Sequence, residues 1–112
     1  MKIDYKIWFD TDEGDKFFGK GNYLLLREIK TTNSLNKAAK NLNMSYSKAF
    51  NIIKNSEKSL GTSLIKSEVG GANGGGSHLT KAGERLLDLF EEADQKIQEL
   101  TANLSQELNR KV

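Results

Sequence analysis

The 112-residue chain has no cysteine and no proline, one histidine and one tryptophan. Without cysteine there is no disulfide framework and no thiolate chemistry. With His78 as the lone histidine, the usual structural zinc sites cannot be assembled, and neither metal nor cofactor is expected. His78 has no serine and aspartate arranged around it as a hydrolase triad would need, so it reads as an ordinary strand residue. The carboxylates of the last third are scattered like a solvated face rather than paired for acid/base work, and the chain is not expected to be an enzyme. The missing proline suits a chain made mostly of helices. No stretch approaches the apolar length that spans a bilayer. The opening "MKIDYKIWFD" is charged and short of a continuous apolar run, unlike a signal peptide. A cytoplasmic location with no membrane partner is the expectation.

What the chain does have is an uneven charge. Its formal net charge is only +2. Residues 30–66, however, hold seven lysines (Lys30, Lys37, Lys40, Lys48, Lys54, Lys58 and Lys66) against Glu57 alone, a net of +6. The segments on either side are acidic, −2 over residues 1–19 and −3 over residues 84–112. A basic middle between acidic ends fits a face built for an anion, or else a solvated lysine-rich surface.

Glycine is also concentrated. Five of the ten glycines fall in "GGANGGG", Gly70 to Gly76. Such a run serves as a flexible linker, a phosphate cradle or a thin loop laid along a nucleic acid. A separate decoy is "GDKFFGK", Gly14 to Lys20, which fits seven of the eight positions of a phosphate-binding loop. The eighth is Gly21, so the hydroxyl that would hold Mg²⁺ is missing, and Phe17 and Phe18 occupy positions that must wrap phosphate. No βαβ unit comes after it. A nucleotide site is not expected at either place.

Periodicity orders the rest. In residues 2–10 Ile3, Tyr5, Ile7 and Phe9 alternate, which predicts a half-buried strand pairing back through "KFF" as an N-terminal hairpin over 2–18. Leu25, Leu26 and Ile29 share a helical face between Asn22 and Thr32. Ser34 can cap a helix carrying Leu35, Ala38, Ala39 and Leu42, and Ser45 can cap another with Ala49, Ile52, Ile53 and Leu60 turned inward, ending at Gly61. Two short helices joined by a tight break over 34–60 are the layout of a helix-turn-helix. The strands expected around the glycine run make 63–79 a wing, whose tip lacks side chains that would clash with a sugar–phosphate backbone. A linker fits less well, because the glycines lead into a helix and not into a second globular unit. That helix is capped by Thr80 and runs to about Asn109, a length of roughly 45 Å. Leu86, Phe90, Ala93, Ile97, Leu100 and Leu104 form a heptad seam along it. Packing within the chain accounts for the seam through Phe90. Beyond Ile97 the rest of the chain is expected to be too short to cover it, and a dimer is expected there.

The fold class is therefore mainly α with small β elements: one winged helix-turn-helix domain over 1–112 with an N-terminal hairpin and a long C-terminal dimerisation helix. A recognition helix places its N-terminal residues against base edges. The DNA-binding residues expected are Ser45, Tyr46, Ser47, Lys48, Asn51 and Lys54, with Lys37, Lys66 and the wing residues Asn73, Gly74, Gly75 and Gly76. The partners expected are double-stranded DNA, as a two-fold symmetric operator, and a second copy of the chain. The competing reading keeps the winged helix but makes it a protein-interaction adaptor that docks a partner through its long helix.

"SLNKAAKNLNMSYSKAFNIIKNSEKSLGTSLI" resembles the winged helix-turn-helix of LysR-type regulators, with Ser34, Ala38, Ala39, Leu42, Ser45, Ile53, Glu57, Leu60, Gly61 and Leu64 in register. "FGKGNYLLLREI", "SYSKAF" and "GGANGGGSHLTKAGERLL" resemble more closely the N-terminal domain of ModE-type, molybdate-responsive regulators, over roughly residues 3–92. The resemblance implies a dimeric DNA-binding transcription factor joined through its first and last helices. It implies that Ser45, Tyr46 and Lys48 meet the major groove and that Gly74, Gly75 and Gly76 form the wing tip. Phe50 stands where the family often has Trp, a change expected to affect packing only. The sequence ends at its long helix, so it is read as standalone, without the family's molybdate-binding region. Any sensing would then fall to an unknown partner protein.

Overall fold

Local chemistry sets where each helix begins. The Ser34 and Ser45 Oγ atoms accept the amides of Lys37 and Lys48, and Thr80 Oγ1 accepts that of Gly83, all at 3.1 Å. Each such cap contributes about 1 kcal/mol. In a computed structural model describing residues 1–68 and 76–112, these caps open three of four helices. The elements are β1 (Phe9–Asp10), β2 (Lys16–Phe18), α1 (Lys20–Thr32), α2 (Leu35–Asn41), α3 (Tyr46–Leu60), β3 (Ile65–Glu68), β4 (Gly76–Leu79) and α4 (Lys81–Lys111). β1 pairs with β2 and β3 with β4, both antiparallel. This is the winged helix-turn-helix class expected from the sequence. α3 stops at Gly61, whose left-handed φ of 69° lets its amide return to Glu57 O at 2.8 Å.

α1 runs through the centre. Leu25, Leu26 and Ile29 are fully buried there, each stabilising the fold by roughly 1.5–3 kcal/mol. Ala38 and Ala39 of α2 and Ala49 and Ile53 of α3 close over them. Small side chains at 38, 39 and 49 let the helix-turn-helix pack tightly against α1. On the opposite side Phe90 of α4 is the centre of a ring cluster, 5.5 Å from Phe9, 5.6 Å from Phe18 and 4.9 Å from Tyr23 between centroids. α4 enters this core through Gly83. A Cβ built there would lie 2.2 Å from the Leu64 carbonyl oxygen, so only glycine allows the approach.

Leu60, expected inward, is exposed. Ser56 takes its place in the core, because its hydroxyl donates to Phe17 O at 2.7 Å and accepts from Asn22 Nδ2 at 2.7 Å. This network ties α1, α3 and β2 together.

The N-terminal hairpin is shorter than expected. Only Phe9 and Asp10 pair with β2. Residues 1–8 keep the alternation, with Ile3, Tyr5 and Ile7 half-buried and their neighbours exposed, but their partner is a helix. They form an arm antiparallel to α4: Tyr5 Oη donates to Asp94 Oδ1 at 2.8 Å, Ile3 N to Ser105 Oγ at 2.8 Å, and the Met1 ammonium to Asn109 Oδ1 at 2.7 Å. The chain thus reaches along α4 well past Ile97, contrary to the expectation that it was too short. The arm and distal α4 stretch the molecule to 62 × 31 × 23 Å, with a radius of gyration of 17.0 Å. About 13 Å is usual for a compact chain near this length.

Candidate nucleic-acid interface

α3 buries Ala49, Ile53 and Ser56 against the core. At 3.6 residues per turn this turns the opposite side outward. Ser45, Tyr46, Ser47, Lys48, Asn51 and Lys54 are all exposed, as are Lys37 on α2 and Lys66 on β3. Ser45 Oγ accepts from the Lys48 amide as the cap, which leaves its hydroxyl proton free to donate outward. The amides of the first turn make this end of α3 electropositive.

The lysines differ in their freedom. Among the described residues Lys54 is the one lysine of the basic middle within 4.0 Å of a carboxylate, 3.2 Å from Glu57 Oε1. The other oxygen of Glu57 accepts the amides of Leu64 at 2.8 Å and Ile65 at 3.4 Å. One carboxylate therefore joins the end of α3 to the start of β3. Lys37, Lys48 and Lys66 stand in solvent.

The base of the wing lies beside α3. Ser77 N donates to Asn33 O at 3.0 Å, fixing β4 to the end of α1. Tyr46, the start of α2 and Gly76 border one hollow of about 220 Å³. Lys66 is opposite His78 in the β3–β4 register. His78 is a strand residue with Nε2 3.7 Å from Glu68. Asn73, Gly74 and Gly75 lie outside the described residues, as do Gly70 and Gly71. The phosphate-loop decoy is taken up by structure: Lys16–Phe18 form β2 and Phe18 is buried.

Phe50 stands on the exposed side of α3. It is 39% exposed, and its ring stacks on Tyr46 at 6.2 Å and 23°.

The α4 seam divides. Leu86 and Phe90, the first two residues of the seam, are buried within the chain, Phe90 among the rings of Phe9, Phe18 and Tyr23. Ala93 and Ile97 are half-buried. Leu100 and Leu104 are 57% and 41% exposed, and Leu89 and Leu108 extend their row. The arm covers the Asp94–Ser105 flank and leaves this row open. Helical spacing alone would have added Leu108, one turn past Leu104. Desolvation first, then the hydrogen bond to Asp94 and the negative charges of Asp94 and Asp4, hold the Tyr5 phenol above its ordinary value.

A family model described as bacterial regulatory helix-turn-helix protein, lysR family, matches residues 23–84. The chain is similar to the transcriptional regulator ModE of Haemophilus influenzae, 42% identical over 67 residues, covering 60% of this chain and 26% of that protein. It is similar to the molybdenum transport protein ModE of Azotobacter vinelandii, 31% identical over 104 residues, covering 93% of this chain and 38% of that protein. It therefore spans well under half the length of these relatives. The crystal structure of ArgP from Mycobacterium tuberculosis superposes with a TM-score of 0.56 at 24% identity, over 74% of this chain and 29% of that one, a likeness of fold.

Proposed function

The chain belongs to the lysR family of bacterial regulatory helix-turn-helix proteins, and on that premise we propose that it is a sequence-specific DNA-binding transcriptional regulator acting as a homodimer. The observation that carries the DNA reading is the first turn of α3. Ser45, Tyr46, Ser47 and Lys48 stand in water at a capped, electropositive helix start, in a stretch with seven lysines and one acid. In this reading α3 enters the major groove. Lys37, Lys66 and the wing meet phosphates, which position the protein while α3 reads base edges. The row Leu89, Leu100, Leu104 and Leu108 packs against a second copy. The two recognition helices then meet an operator with half-sites roughly 34–36 Å apart.

The test is fluorescence anisotropy with DNA from the chain's own upstream region and a scrambled control, at several salt concentrations. A preference of about a thousandfold and a steep salt slope are expected. Lys48→Ala should lose at least about fivefold in affinity while keeping its helical circular dichroism. Equal, weak binding to both DNAs would overturn the proposal in favour of an adaptor working through α4.

A further inference from the structure

Tyr46, Phe50 and Lys54 succeed one another at four-residue spacing, so they form one row along α3. The row begins in the turn that the DNA reading places in the groove. Tyr46 is 52% exposed and Phe50 39% exposed, and their rings stack. The Lys54 ammonium lies 5.4 Å from the Phe50 ring centroid while held by Glu57. The inward positions of α3 are filled by Ala49, Ile53 and Ser56, so the core makes no use of these two rings.

A phenylalanine has no donor or acceptor, so Phe50 cannot read a base by hydrogen bonding. Among the groups that base pairs present in the major groove, the thymine 5-methyl is the apolar one. We infer that Tyr46 and Phe50 form an apolar reader of thymine methyl groups, so that the half-site carries thymine at neighbouring positions under α3. Centroids 6.2 Å apart cover about two base-pair steps of roughly 3.4 Å. Lys54 at the end of the row supplies the charge that draws it toward phosphate, and Glu57 restrains its direction. The inference rests on the DNA reading proposed above.

The experiment starts from a pool of random-sequence duplexes, from which the full chain selects its site. Uracil then replaces thymine in the selected half-site, one position at a time. This removes the methyl and keeps the pairing and the O4 acceptor. The wild type should lose about fourfold in affinity at one or two positions within that two-step span, the worth of one buried methyl group. Phe50→Ser should bind thymine and uracil alike at the position beneath Phe50, while Phe50→Leu keeps the sensitivity there. Circular dichroism checks that both variants fold, and the exposure of the ring makes them suited to it. A selected site without thymine, uracil losses below about 1.5-fold at every position, or unchanged sensitivity in Phe50→Ser overturns the inference and leaves the DNA reading standing. No enriched sequence overturns both.

Discussion

The two halves of α4 carry the same apolar spacing and meet opposite fates. From Gly83 to Phe90 the helix is part of the core, with Leu86, Leu87 and Phe90 out of water. From Leu100 to Leu108 its leucines stand in solvent. The difference does not lie in the residues but in what faces them. Phe9, Phe18 and Tyr23 cover the first half. The arm covers a different flank of the second, through Ser105 and Asn109. A heptad seam thus does not by itself tell a covered surface from an open one; that depends on the three-dimensional neighbours.

Substitutions at matched positions break this comparison most sharply. Phe90→Ala should destabilise the fold by about 3–5 kcal/mol in urea unfolding. Leu104→Ala, one of the exposed row, should stay within about 0.5 kcal/mol in the isolated chain, while Leu104→Glu should shift sedimentation toward monomer. Equal costs at 90 and 104 in a monomeric sample would erase the division. Gly83→Ala tests how the first half is anchored. The new methyl meets the Leu64 carbonyl, and a loss of about 1–3 kcal/mol is expected in the same unfolding measurement. The smallest effect concerns the arm. Because the folded-state pKa of Tyr5 is raised, its contribution is full below the ordinary phenol pKa of about 10 and is lost as pH rises through the raised value. Tyrosinate absorbance should show a component above the ordinary range that Tyr5→Phe removes. At neutral pH the Ile3 amide, which donates to Ser105, should exchange faster in that variant.

Much of this was legible in the sequence. Ser34, Ser45 and Thr80 announced helix starts because a cap is a local event, three residues across. Leu25, Leu26 and Ile29 announced the core by period. The features that escaped depend on distant partners. Alternation in residues 2–8 reported one buried side correctly, but period two does not say whether a sheet or a helix lies opposite. Ser56 displaced Leu60 from the core through a hydroxyl bond to Phe17, 39 residues away, which no helical wheel contains. Of the candidate interface, the exposure of Ser45, Tyr46, Ser47 and Lys48 came from placing Ala49 and Ile53 inward. The exposure of Phe50 and its stacking on Tyr46 were not legible, because an aromatic residue beside the core face reads as buried until its neighbours are known.

Glu57 carries a consequence of a mechanical kind. One of its oxygens holds Lys54 and the other the amides of Leu64 and Ile65. The end of α3 and the root of β3 therefore share a single rivet, and one cannot swing without dragging the other. Joined in this way, helix and wing behave like the jaws of a caliper locked at one opening. In the DNA reading proposed above, that fixed opening would set the spacing between what α3 meets and what β3 meets.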